Sequence, residues 1–181
     1  MATGSLTTDR LSLDPLRPDD VVDDYVSWQN DPEVLRYRAR RTPLTGDDLR
    51  QYIASLPSSD RVFAIRERST SRHIGNIALN SVLPFHGTGE LSIVIGARDA
   101  WGKGYGREAI AAVTKFGFGE LGLRRIWAES PNPAFNRIVA DLGYVHEGTK
   151  RQALRVAETY VDLECWGLLS TERGSGRGRA P

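Results

Sequence analysis

Residues 101–109, Trp-Gly-Lys-Gly-Tyr-Gly-Arg-Glu-Ala, set glycines at 102, 104 and 106 between the apolar run Leu91 to Ile95 and a long amphipathic stretch. The pattern predicts strand, glycine loop, helix. Glycine lets main chain approach a ligand closely, and the first turn of a helix presents unpaired N–H groups at the positive end of its dipole. Together they make a site for an anionic group such as a phosphate or pyrophosphate. A glycine-rich turn without a ligand is the structural alternative.

Glu90 starts the strand ahead of the loop, and alternation puts Glu90, Ser92 and Val94 on one face. A glutamate buried in a cleft there would have a raised pKa suited to proton transfer; a solvated strand-edge carboxylate is the alternative. Asn76 on the neighbouring strand and Asn136 at a helix start are lesser polar candidates. Lys103 and Arg107 stand where they could meet phosphates. The single cysteine, Cys165, lies in the apolar run Leu163 to Leu169 and reads as a small buried hydrophobe, not a nucleophile. His73, His86 and His146 are scattered, so no metal site is read.

These residues need a scaffold. The chain of 181 residues is long enough for one domain with a real core. Its net charge of +1 argues against a nucleic-acid binder acting by bulk electrostatics. No apolar run nears the roughly 18 residues of a membrane span. The first residues lack a signal-peptide pattern, and one cysteine fits a reducing compartment, so a cytoplasmic protein is expected. Asp9 to Leu16 reads as a strand, Pro18-Asp19-Asp20 as the start of a helix to about Trp28, and Asp31-Pro32 as a short helix carrying Val34, Leu35 and Tyr37. Thr45 to Asp48 resembles a capping box before a helix from Leu49 to Leu56. Val62 to Glu67 and His73 to Val82 form a hairpin, followed by the strand Glu90 to Ile95 and the longest helix, Gly104 to Leu121, with Ile110, Val113 and Phe116 on one face. Then come the strand Arg125 to Glu129, the helix Pro133 to Leu142 capped by Gly143, and a last antiparallel pair, Tyr144 to Thr149 with Tyr160 to Leu169. The order predicts an α+β fold with a mixed, mostly antiparallel sheet. One domain over residues 8–172 is expected, followed by a disordered basic, glycine-rich tail at 173–181.

Three phosphate loops compete. A Walker loop fails on spacing: Gly96 precedes Gly102-Lys103 by one residue too many, and glycine follows the lysine. Gly104-x-Gly106-x-x-Ala109 with Glu129 matches a dinucleotide fingerprint, but Ala97 to Lys103 separate the glycines from their strand and hairpin strands precede it. The third reading fits best. The apolar strand, the loop Gly102-Lys-Gly-Tyr-Gly106 and the following helix resemble the coenzyme A-binding motif of the GNAT N-acetyltransferases. Asn132 to Tyr144 resembles that family's next segment, an asparagine leading into a helix that ends in Leu-Gly-Tyr. Trp28 to Leu35, Glu147-Gly148 and Asp162 to Leu169 resemble the RimJ/RimL-like branch.

The resemblance implies a sheet whose central strands splay apart around acetyl-CoA. Main chain of Val94, Ile95 and Gly96 would hold the acetyl and pantetheine part, and N–H groups of Gly102, Lys103, Gly104, Tyr105, Gly106 and Arg107 the pyrophosphate. The Asn132 side chain would bond the pantetheine arm, and Glu90 would be the catalytic base. It further implies an amine acceptor, either a protein N-terminus or a small molecule, transfer by direct attack in a ternary complex, and a homodimer through exposed C-terminal strands. A non-catalytic acyl-CoA-binding domain and a dinucleotide-binding oxidoreductase are the alternatives. The chain departs from the pattern in having Trp101 at the loop's start and Val139 where many members carry a tyrosine as general acid. A thiol of pKa about 8.5 is a tolerable leaving group without one. Tyr37, Arg38, Arg40 and Arg41 fall where the family's substrate-side helices lie; the cluster either favours an acidic or carboxylate-bearing substrate or is a solvated basic patch.

Overall fold

The computed structural model describes residues 4–38, 42–156 and 158–172; the expected tail at 173–181 and the arginines Arg40 and Arg41 lie outside the described residues. Strands β1 (Leu6–Thr7), β2 (Leu11–Pro15), β3 (Arg61–Glu67), β4 (His73–Leu83), β5 (Thr88–Ile95), β6 (Arg125–Ser130), β7 (Val145–Val156) and β8 (Thr159–Leu169) form one sheet in the order β1-β2-β3-β4-β5-β6-β8-β7. The helices are α1 (Asp23–Asn30), α2 (Pro32–Leu35), α3 (Gly46–Ala54), α4 (Tyr105–Gly119) and α5 (Pro133–Asp141). Every neighbouring pair is antiparallel except β5 with β6. The mixed α+β sheet flanked by helices is thus the architecture the chain adopts.

Helices α4 and α5 cover one face. Ile110, Val113 and Phe116 meet Leu79, Leu91, Ile126 and Val139 there in the larger core. The Phe63 and Phe116 rings stand perpendicular, their centroids 5.7 Å apart, a favoured aromatic geometry. Helices α1 to α3 cover the other face with a smaller core of Tyr25, Trp28, Val34, Leu49 and Ile53, against which Val94 packs. The strand's alternation is therefore real: Leu91, Ile93 and Ile95 face α4, and Glu90, Ser92 and Val94 face the α1–α3 side.

Local chemistry corrects several expected boundaries. Pro18–Asp20 is a 3-10 turn, not the start of a helix to Trp28, because Asp20 Oδ2 accepts from Arg17 N and Val21 N donates to Pro18 O; α1 starts at Asp23. Thr45 caps α3 as expected, its hydroxyl accepting from Asp48 N while Asp48 accepts from Thr45 N. The last hairpin runs well past Thr149, to Val156, as a bulged and mostly exposed ribbon. Its residues 150–156 show no apolar alternation, since little there is buried. The short β1 was not expected at all.

The end of β5 is shaped by one contact. Gly96 lies against the Trp28 ring, and a Cβ built on it would stand 2.0 Å from the indole, a distance no side-chain atom tolerates. Gly96→Ala must move Trp28 or the strand. We expect a loss of about 1–3 kcal/mol, the usual cost of overpacking, measured as a lowered thermal midpoint; an unchanged midpoint would contradict this account of Gly96.

Candidate active site

Two interior strands part company at the centre of the sheet. β5 and β6 pair only at Thr88 with Arg125, Gly89 with Ile126 and Glu90 with Trp127. Beyond Glu90, β5 stays with β4 as far as Ile95 opposite Gly75, and β6 stays with β8 as far as Ser130 opposite Glu164. A wedge opens between residues 91–95 and 128–130. Both following helices, α4 and α5, begin at its wide end, at the carboxyl ends of the diverging strands. Open sheets take their ligands at such places.

Register decides which groups face the wedge. Gly96 N and Ala97 N both donate to Ile74 O, and Val94 O points at Gly75. Main-chain groups of Val94 and Gly96 are thus turned to β4. By the two-residue period Ile93 and Ile95 turn theirs the other way, toward β6. Of the residues named from sequence, Ile95 alone offers main chain to the wedge, and Ile93, which was not named, joins it. The Ile95 carbonyl is already taken, accepting from Trp101 Nε1 at 2.8 Å, which leaves its N–H.

The glycine loop has the predicted form. Gly102 and Gly104 sit at φ +74° and +82°, conformations that side-chain-bearing residues rarely hold. No N–H of residues 102–107 donates to another described residue, and the first helical bond is Glu108 N to Gly104 O at 3.1 Å. A run of unsatisfied amides at the start of α4 is the geometry that can cradle an anion. Gly106 is helical, and a Cβ there would meet nothing nearer than Ile138 Cδ1 at 3.8 Å, so packing alone does not demand glycine. Lys103 is exposed. Arg107 is shared with Asp141, at 3.2 Å. Asn132 caps α5, its Oδ1 accepting from Ala134 N at 3.0 Å; its Nδ2 is the group left to donate to a ligand carbonyl.

On the α1–α3 side of the wedge, Glu90 and Glu129 share one opening. Glu90 is half-buried, and burial raises its pKa above the ordinary carboxylate value; the charges of Glu129 and then Asp60 add to the rise, and Lys150 opposes it. Lys150 Nζ is paired with Glu129. Cys165 is the register partner of Glu129, and burial pushes its thiol pKa up, which suits an unreactive thiol.

Other sequence candidates serve the frame. Asn136 donates to Ser130 O and accepts from Trp166 Nε1, joining α5 to β6 and β8. Asn76 links His73 Nε2 to the Tyr25 hydroxyl beneath α1. Val139 is wholly buried in the α4 core. Tyr144 is no substitute acid: burial lifts its phenol to about 12, and the hydroxyl is bonded to Thr114.

Comparison with known proteins agrees with this geometry. The GNAT acetyltransferase domain family matches residues 10–145. The chain belongs to that family and is an N-acetyltransferase. It is similar to an uncharacterized N-acetyltransferase, p20, of Bacillus licheniformis, at 30% identity over 93% of this chain and 97% of that one. A second relative, the uncharacterized N-acetyltransferase YoaA of Bacillus subtilis, is 28% identical over 91% and 96%. Among solved structures, spermidine N-acetyltransferase from Vibrio cholerae, in complex with CoA and spermine, superposes with a TM-score of 0.83 at 21% identity, covering 91% of this chain and 98% of that one. The ribosomal-protein-S5-alanine acetyltransferase from Vibrio fischeri superposes at 0.81 with 18% identity, covering 91% and 96%.

The raised pKa of Glu90 has a consequence for stability. A carboxyl that binds its proton more tightly folded than unfolded stabilises the fold below the unfolded pKa, and this is lost as pH rises through the folded value. Glu90→Gln removes the buried charge. Its thermal midpoint should exceed the parent's at pH 8, and the difference should shrink as pH falls through the ordinary carboxylate range. A variant less stable than the parent at pH 8 would show that the charge of Glu90 is not a strain on the fold.

Proposed function

We propose that the protein transfers the acetyl group of acetyl-CoA to a primary amine by direct attack in a ternary complex. The observation that carries this reading is the unbonded N–H run of residues 102–107 beside a wedge lined by main chain of Ile93 and Ile95. Gly102, Lys103, Gly104, Tyr105, Gly106 and Arg107 would receive the pyrophosphate, and Asn132 Nδ2 a carbonyl of the pantetheine arm. Val94 and Gly96 would act by shape: Val94 lends its side chain to the α1–α3 core, and Gly96 lets Trp28 close over the strand end. When bound, the cofactor supplies an activated acyl group at the thioester carbonyl.

The acceptor arrives on the face of Glu90. A lysine-like amine of pKa about 10.4 is protonated at neutral pH and must shed a proton before it can attack. Glu90 takes that proton, directly or through water; the C–N bond forms, the C–S bond breaks, and the nitrogen's second proton passes to the departing thiolate. Glu90, Glu129 and Asp60 make this side acidic, offset by Lys150. We therefore propose a cationic primary amine, not the carboxylate-bearing acceptor that Arg40 and Arg41 favoured. The polycation named for the Vibrio cholerae structure fits such a wall. Membership of the RimJ/RimL-like branch is supported by the motifs at Trp28 to Leu35 and Asp162 to Leu169. A cytoplasmic location is in keeping with a single free thiol; among the described residues no helix is long and apolar enough to cross a membrane. The strand edge expected to self-pair is β7, but two register shifts and the basic residues Lys150, Arg151 and Arg155 blunt it, so no dimer is proposed through it.

The test is acetyl-CoA turnover against polyamines, lysine peptides, aminoglycosides and peptides of varied N-terminus. Cationic small amines should be the best acceptors, with intersecting initial-rate lines; ping-pong kinetics would refute direct transfer. Glu90→Gln should lower kcat by about 10²-fold, the low end of acid–base contributions, and most at low pH. Gly106→Ala should weaken coenzyme A binding in calorimetry and leave the thermal midpoint intact. Equal affinity in that variant would remove the loop from the site.

A further inference from the structure

The glycine loop does not hold its shape alone. The β1–β2 turn, far away in sequence, lies against it. Arg10 Nη1 donates to Lys103 O at 2.8 Å. The other edge of the same guanidinium grips Glu108 Oε2, through Nε at 2.7 Å and Nη2 at 2.7 Å. The opposite carboxylate oxygen, Glu108 Oε1, accepts from Arg10 N at 2.9 Å and from Thr8 Oγ1 at 2.6 Å. Arg10 also stacks over the Tyr105 ring, 4.8 Å from its centroid. Its own backbone is fixed in turn: Arg10 O accepts from Arg68 N at 2.9 Å, and Arg68 Nη1 bonds the Thr8 and Asp9 carbonyls.

The bond to Lys103 O has a geometric effect on the next residue. In a planar trans peptide the C=O and the following N–H point in opposite directions. With the Lys103 carbonyl drawn to Arg10, the Gly104 N–H is turned away from the protein, toward the cradle. Among the described residues no other hydrogen bond holds that peptide. Gly104 holds φ +82°, and glycine accepts negative φ as readily, so the 103–104 peptide is free to rotate once its carbonyl is released. The grip on Glu108 has a second effect. That carboxylate stands in the first turn of α4, where it would repel an arriving anion, and Arg10 neutralises it. The hydrogen bonds from Thr8 and Arg10 outweigh the upward effect of burial on Glu108 and hold it ionised.

We propose that Arg10 is a positioning residue for the phosphate loop, setting the Lys103–Gly104 peptide and screening Glu108 so that the loop's amides receive the diphosphate of coenzyme A. This rests on the acetyl-CoA reading above and adds to it a residue outside the loop. Arg10 need not touch the cofactor. It acts through the fork of its guanidinium, which a lysine cannot reproduce because an ammonium cannot span Lys103 O and Glu108 in the same planar geometry.

Coenzyme A titration by calorimetry tests it, with the full chain, Arg10→Ala and Arg10→Lys. Arg10→Ala should bind coenzyme A about tenfold more weakly, the scale of one charge-assisted hydrogen bond. Arg10→Lys should resemble Arg10→Ala although it keeps the charge. Turnover supplies the control: kcat/KM should fall with acetyl-CoA but stay level with acetylpantetheine, which has no diphosphate for the loop to hold, and kcat at saturating acetyl-CoA should be kept. A loss equal for both donors means general destabilisation and overturns the proposal, as does full affinity in Arg10→Ala or Arg10→Lys. Should Arg10→Ala not fold, Arg10→Lys, which keeps the charge and loses the fork, carries the test by itself, and full coenzyme A affinity in it overturns the proposal. A parent protein that binds no coenzyme A would instead sink the acetyl-CoA reading itself.

Discussion

The parting of β5 from β6 is the constraint on which the rest depends. Interior strands of a sheet ordinarily satisfy one another along their length, because a buried main-chain group without a partner costs about as much as a lost hydrogen bond. Here each strand is held by its other neighbour, β5 by β4 and β6 by β8, and the inner edges separate beyond Glu90 and Trp127. The inner edges of both strands are left to bond whatever enters. A thioester and an amide-rich arm offer the complementary donors and acceptors, which is why a splayed sheet and an acyl-carrier substrate belong together.

Keeping the wedge open takes bracing on every side. Trp28 presses on Gly96 and closes the end of β5 from the α1–α3 face. Trp101 ties the entrance of the loop to Ile95 O, so an aromatic at the loop's first position is a strut and not a phosphate ligand. Arg10 ties the loop's exit to the β1–β2 turn. Asn136 and Trp166 hold the far wall by joining α5 to β8. These contacts are polar or aromatic and directional, whereas the large aliphatic core beneath α4 supplies burial without fixing the loop. Stability and precision are thus supplied by different residues.

What was legible in the sequence follows from this division. Periodicity and glycine spacing are local signals, so the strand–loop–helix unit and the apolar face of α4 were readable from neighbouring residues. The Thr45 box was readable for the same reason. Long-range partners were not. Arg10 is an ordinary basic residue until the fold carries it to Lys103, and Glu129 looks like any strand carboxylate until β6 brings it beside Glu90. Register was equally hidden: Val94, Ile95 and Gly96 are named together from the sequence, but whether a main-chain group faces β4 or the wedge depends on pairing that a lone strand does not encode. Residues 150–156 were missed because a ribbon with few buried side chains has no hydrophobic pattern to betray it.

The acidic wall carries a conflict that its geometry moderates. Partial burial raises the proton affinity of Glu90, and the same desolvation lowers that of an ammonium brought beside it, so burial alone narrows the gap between base and amine. Negative neighbours act otherwise. Glu129 and Asp60 would strengthen Glu90 in its proposed role as base, yet they would also favour an acceptor's ammonium over its free amine, attracting it in its unreactive form. Lys150 stands between these outcomes. Paired with Glu129, it offsets one of the two flanking carboxylates and lowers the field that would hold the ammonium protonated, while Glu90 keeps the desolvation that makes it basic. A wall with every acid unpaired would bind a cation tightly and react slowly; one with every acid paired would lose both the attraction and the base. One glutamate paired with Lys150 and one without an ion pair among the described residues, on adjoining strands that separate between them, would meet both demands of the proposed reaction.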